Sequence, residues 1–245
     1  MQLIVASFYE VNLYILSLVL TLSFLWGGFV FFKRSIEEHF DETQVLDVVV
    51  LSGFFSLIVG RIIYFIEHLN MFWGNLFRVI FLKTYPGISP WGVLAGIVIA
   101  IYLVLGKERK KIVDLLDHAM VGVVSGLAVL LSGWGVITKN WVLLVLAGLA
   151  FIFFIVLWKM EGEYRTFEWY RYKKNQAKSG LIAGFGLSFY AAMVLATGLL
   201  SKSLSVLDAV ISLGVFVGGF VLLYIRSGRV FGDDIKIIMK NGRKK

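Results

Sequence analysis

The sequence predicts an all-α bundle embedded in a membrane, on three observations. Of its 245 residues, 59% are hydrophobic and only 16% charged, with a mean hydropathy of +0.84, against roughly 45–50% and 25% in a soluble domain. Apolar runs of about 18 residues or more recur along the chain, each long enough to cross a hydrocarbon layer of about 30 Å. The runs are continuous rather than alternating, which selects helices over barrel strands. A water-soluble globular fold is thereby excluded. Two prolines and 16% aromatic residues exclude a collagen-like or disordered chain, and the absence of cysteine excludes disulfides, a thiol nucleophile and thiolate metal sites.

Seven spans follow in order. Val11 to Phe32 carries no charge, and no Lys or Arg precedes Lys33, so this run is expected to stay as a helix rather than leave as a signal peptide. Val48 to Ile66 is apolar except for Arg61. Ile88 to Gly106 comes third. Ala119 to Thr138 and Asn140 to Trp158 are separated by Lys139 alone, which demands a tight helical hairpin. Ser179 to Ser201 and Ala209 to Ile225 complete the set, giving one domain over 1–225 and a basic tail over 226–245. Glycines four residues apart, at 92 and 96, 122 and 126, 180 and 184, 214 and 218, predict close helix packing.

Charge sets the orientation, because cations are retained on the cytoplasmic side. Of the 24 Lys and Arg, 19 fall in the segments after spans one, three, five and seven, four fall on the other side, and Arg61 lies within a span. The amino terminus is therefore expected outside and the carboxyl terminus inside. The net charge of +8 reads as this topology and as contact with anionic lipid headgroups rather than nucleic acid. His39, His68 and His118 lack metal-ligand spacing, so neither a metal nor a cofactor is expected. Asp233 and Asp234 are an isolated pair in a solvated basic tail.

Few residues can carry chemistry. A guanidinium at the depth of Arg61 is costly enough to signal function, the alternatives being snorkelling to the headgroups or pairing with Glu67. Trp73, Arg78, Lys83, Tyr85, Pro86 and Trp91 mix aromatics with cations in the outward connection, as suits an interfacial half-helix or an aromatic belt. Asp114, Asp117 and His118 open the fourth span, where a helix amino terminus and neighbouring cations favour acids. Adjacent positions on a helix point in different directions, which counts against an Asp117–His118 relay.

The order of these residues resembles the prolipoprotein diacylglyceryl transferases of bacterial inner membranes. The resemblance is carried by Gly60, Arg61 and Tyr64 of GRIIY, by Phe77, Arg78 and Val79, and by GISPWGVLAG from Gly87 to Gly96, which looks like the family's G-x-S-[FY]-H-G-G-x-x-G. Asp117 and the stretch SGLIAGFG from Ser179 to Gly186 extend it. It implies a multi-pass protein of the cytoplasmic membrane that moves a diacylglyceryl group from phosphatidylglycerol to the lipobox cysteine of a prolipoprotein. It further implies that Arg61, Tyr64, Arg78 and Ser89 contact the phospholipid headgroup, with Asp117 as a polar partner. The chain departs from the pattern at the family's histidine, where it has Trp91, and at the second glycine, Val93. Leu131, Trp134, Lys139, Tyr190 and Val194 stand where the resemblance leads one to expect polar family residues. Catalytic residues are thus unassigned, and three functions fit: a divergent transferase, a non-catalytic phospholipid- or lipoprotein-binding relative, and a transporter- or receptor-like bundle.

Overall fold

A computed structural model describes residues 2–69, 87–106, 108–163, 179–201 and 206–227. They form seven helices: α1 (Gln2–Glu37), α2 (Glu42–Glu67), α3 (Pro90–Leu105), α4 (Arg109–Thr138), α5 (Trp141–Glu163), α6 (Leu181–Leu200) and α7 (Val206–Arg226), with no strand among the described residues. Six are long and apolar enough to cross a membrane, and α3 is the exception. With 16 residues it reaches about 24 Å. The third run is shorter than expected because Pro90 occupies its first turn and Gly106, at φ 59°, ends it.

The expected hairpin after α4 is present. Lys139 closes that helix in the left-handed conformation, Asn140 N donates to Gly135 O at 3.0 Å, and the Asn140 side chain accepts from Val142 N. A second tight turn joins α1 to α2, with His39 at φ 64° and Asp41 capping Gln44 N at 3.0 Å.

Small residues govern the packing. The bundle is built on four close pairs, α2 with α3, α1 with α4, α4 with α5, and α6 with α7. A Cβ on Gly92 would meet the backbone of Val59 and Gly60, and one on Gly96 the backbone of Phe55 and Ser56, so α2 and α3 touch along their main chains. Gly122 lies against the Gly27 carbonyl in the same way, and Ser23 Oγ donates to Gly126 O at 2.6 Å. Gly214 and Gly218, by contrast, face open space. The contact on α7 is made by Gly219, which lies against Gly184 and Ser188 of α6.

At one end Phe31, Val45, Val48, Ile101, Leu105 and Leu115 form a core uniting the end of α1, the start of α2, the end of α3 and the start of α4. Nearer the start of α3, a second core of Trp91, Leu94, Met120, Tyr190 and Ala191 joins α3, α4 and α6, with Ile211, Val215 and Phe216 of α7 packed on it.

Candidate functional site

Polar groups buried in this bundle gather in two places. The first lies where α2 ends and α3 begins. Arg61 is 7% exposed, and its Nη1 donates to the Gly87 carbonyl at 2.9 Å. Its guanidinium carbon stands 5.5 Å from the centre of the Tyr64 ring, whose other neighbour is the stacked imidazole of His68 at 4.3 Å. Gly87 is packed so closely on the Tyr64 ring that no side chain fits there. Ser89 occupies the cap position of α3 yet caps nothing with its hydroxyl, which instead donates to Glu67 Oε1 at 2.7 Å. The Ser89 amide donates to Gly60 O at 3.0 Å, fastening α3 to α2 just above the Gly60–Gly92 contact. Asp208, in the first turn of α7, lies within hydrogen-bonding reach of Glu67.

One turn deeper the site becomes aromatic. Tyr190 Oη donates to Pro90 O at 3.1 Å, and its ring meets Trp91 edge-on at 5.8 Å. Among the described residues Trp91, 7% exposed, has no hydrogen-bond partner for its Nε1–H, and neither has the fully buried hydroxyl of Ser212 on α7.

The second gathering joins α1, α4 and α5 at the opposite end of α2. Arg34 Nε lies 2.8 Å from Glu161 Oε2, Arg34 Nη1 lies 2.7 Å from Glu37, and Arg34 Nη2 donates to the Trp158 carbonyl. The guanidinium stacks 3.9 Å from the Trp158 ring. His118 Nε2 is 3.2 Å from Glu161 Oε1, and its Nδ1 is 3.3 Å from Ser35 Oγ. Asp117, 2% exposed, accepts from Gly180 N at 2.7 Å and Ala183 N at 2.6 Å. It thereby supplies the cap that Gly180, at φ 96° and without a side chain, cannot give to α6.

Arg61, Tyr64 and Ser89 are therefore brought together as the sequence led one to expect, while Arg78 lies outside the described residues, as do Trp73, Lys83, Tyr85 and Pro86. Asp117 is not with them. Its helix begins at Arg109 rather than near Ala119, so the acid sits two turns inside α4 and serves the amino terminus of a different helix. Asp117 and His118 turn to separate partners, so the two form no relay with each other. Glu161, Asp208 and Ser212 had no motif to mark them. Their signal is an isolated polar residue within or beside an apolar run. Among the described residues no group of three potential metal ligands occurs.

Fold and site define a multi-pass helical membrane protein with a guanidinium, a hydroxyl and a carboxyl at the junction of two closely packed helices. The chain belongs to the prolipoprotein diacylglyceryl transferase family, whose model matches residues 3–135. It is similar to the phosphatidylglycerol–prolipoprotein diacylglyceryl transferase of Finegoldia magna, 24% identical over 135 residues, which are 55% of this chain and 53% of that protein. The chain thus spans about half the length of this curated relative.

Proposed function

We propose that this protein binds phosphatidylglycerol in the outer leaflet of a bacterial cytoplasmic membrane and transfers its diacylglyceryl group to the lipobox cysteine of a prolipoprotein. In this reading all seven helices span, with the amino terminus outside and the cation-rich connections inside. The end bearing Arg61 and Ser89 then faces the outer headgroups. The observation that carries it is the buried Arg61 guanidinium beside Tyr64 and Ser89, within the stretch the family model matches.

Transfer forms a bond between the thiol sulfur and the glycerol carbon, and breaks the bond from that carbon to the phosphate oxygen. Negative charge grows on the departing glycerol phosphate, where a fixed guanidinium lowers the barrier. Arg61 holds that position, with Arg78, Tyr64 and Ser89 as further headgroup contacts. The thiol must lose its proton to react. Glu67, oriented by the Ser89 hydroxyl, is the carboxyl nearest the headgroup site to accept it.

Incubating the protein with a lipobox peptide in phosphatidylglycerol liposomes and detecting the thioether by mass tests the reading. Arg61→Ala should lower turnover about 100- to 1000-fold. Trp91 in the family's histidine position favours a second reading, lipid binding without turnover. Bound phosphatidylglycerol with no thioether product would select it.

A further inference from the structure

The chain has three histidines, and only one of them lies at the Arg61 site. His39 sits in the turn after α1 and His118 in the network of Arg34 and Glu161. His68 closes α2, and residues 61, 64 and 68 are three and four apart, which sets Arg61, Tyr64 and His68 on one stripe of that helix. The contacts bear this out: the His68 ring stacks on Tyr64 at 4.3 Å, and the Arg61 guanidinium stands over the same phenol ring.

The imidazole is held by one nitrogen only. The His68 backbone N–H donates to Tyr64 O and Phe65 O, and its Nδ1 lies 3.1 Å from Tyr64 O. A carbonyl can only accept, so Nδ1 carries a hydrogen and Nε2 is the position that gains and loses a proton. The side chain is half-buried, and among the described residues Nε2 has no hydrogen-bond partner.

Such a group suits a phosphate beside a guanidinium. Arg61 offers fixed charge, whereas an imidazole offers a proton that can move. Glycerol phosphate leaving a phosphodiester gains a second negative charge, and phosphate monoesters take up a proton near about pH 6. That is close to the ordinary imidazole value of about 6.5, so transfer between the two has little driving force in either direction and can accompany bond breaking. Glu67, bonded to Ser89, is already the acceptor for the thiol proton.

We infer that His68 Nε2 binds the phosphate of the phospholipid headgroup and gives it a proton as glycerol phosphate departs. The sulfur–carbon bond forms as the carbon–oxygen bond breaks, the electron pair of the latter goes to the phosphate oxygen, and the Nε2 proton follows it. The thiol proton taken by Glu67 returns to the imidazole through water, which closes the cycle. The contact rests on the headgroup reading, and the proton step on the transferase reading. Among the described residues the charged and titratable groups around His68 are Arg61 and Tyr64 on its own stripe, Glu67 beside it, and Asp208 of α7 next to Glu67; the start of α3 brings none.

Two readouts on the full-length protein test the assignment. With isotope-labelled histidine in detergent micelles, the His68 Nε2 resonance is identified by its loss in His68→Asn. Short-chain phosphatidylglycerol should shift that resonance, and diacylglycerol, which lacks the phosphate, should not. His68→Asn keeps an amide donor for Tyr64 O, so its thermal midpoint should stay near that of the wild type. Its thioether formation in phosphatidylglycerol liposomes should fall about 100-fold, the low end for a positioned acid, because phosphate already leaves readily. The wild-type rate should decline on the alkaline side as the imidazolium loses its proton. In the variant that limb should vanish, and added imidazole should restore part of the rate. Should His68→Asn fail to fold, His68→Phe, which keeps the ring stack, carries the same expectations. A resonance that phosphatidylglycerol leaves unmoved overturns the inference. A variant with wild-type turnover, or with the alkaline limb intact, overturns it while sparing the transferase reading. A shifted resonance with no thioether from the wild type would overturn the transferase reading and the proton step with it, leaving His68 as a headgroup ligand.

Discussion

The two buried polar regions lie at opposite ends of α2 and differ in what their polar groups meet: charges facing charges in one, hydroxyl and indole groups among aromatics in the other. Around Arg34, each charged group is opposite another: Arg34 meets Glu37 and Glu161, His118 meets Glu161 and Ser35, and both Asp117 oxygens hold amides of α6. Around Trp91 and Ser212, buried donors are left over. A network in which charges face one another locks helices together. Burial alone therefore does not separate structure from function in this protein.

The largest expected effect breaks the closed region. Glu161→Ala takes from Arg34 its buried carboxylate, leaving the more exposed Glu37, and from His118 its acidic partner, and removing one partner of a buried ion pair costs about 3–5 kcal/mol. A fall of the thermal midpoint in detergent, with phosphatidylglycerol retention preserved in the fraction still folded, is the expected result. Loss of retention at unchanged stability would mean that the closed region, too, serves the ligand.

Asp117→Ala comes next. It removes two charge-assisted hydrogen bonds at the start of α6, and about 2–3 kcal/mol of stability should go with them. Amide exchange at Gly180 and Ala183 should rise first, since these donors lose the Asp117 carboxylate. Equal exchange in variant and wild type would show that water caps the helix as well as the carboxylate does.

Part of this contrast was legible in the sequence. Length and hydropathy gave seven helices in the right order, because a continuous apolar run, unlike an alternating one, satisfies its backbone in lipid as a helix. Arg61, Tyr64 and Ser89 could be grouped because GRIIY lies near the end of one predicted span and GISPWGVLAG at the start of the next, which puts both at the same membrane face. The role of Asp117 was not legible. Its nearest charges in sequence are the lysines before it, and only folding brings it to Gly180, 63 residues away. Glycine spacing was equally blind to direction: four-residue periods occur at Gly92 and Gly96, which touch α2, and at Gly214 and Gly218, which touch nothing. In a helix that is apolar all round, no periodicity reveals which face meets protein and which meets lipid.

That blindness supplies a smaller test. Gly92→Ala forces a methyl onto the Gly60 backbone, which cannot yield without parting α2 from α3 beside Ser89, so about 1–3 kcal/mol should be lost. Gly218→Ala, with nothing near its new methyl, should stay within about 0.5 kcal/mol of the wild type. Similar losses in both would place a partner against the outer face of α7.

The smallest effect has the opposite sign, and it bears most directly on the contrast. Ser188 and Ser212 are both buried serines on the facing helices α6 and α7, but Ser188 Oγ donates to Gly184 O at 3.0 Å whereas Ser212 Oγ has no acceptor. Converting Ser188 to alanine removes a made bond and should cost about 0.5–1 kcal/mol. Converting Ser212 to alanine removes an unmet donor, so the lipid-free protein should gain about 1 kcal/mol. The two midpoints, measured in the same detergent, should move apart. A Ser212→Ala variant less stable than the wild type in that detergent would place Ser212 with the closed region, as a group whose bond is structural.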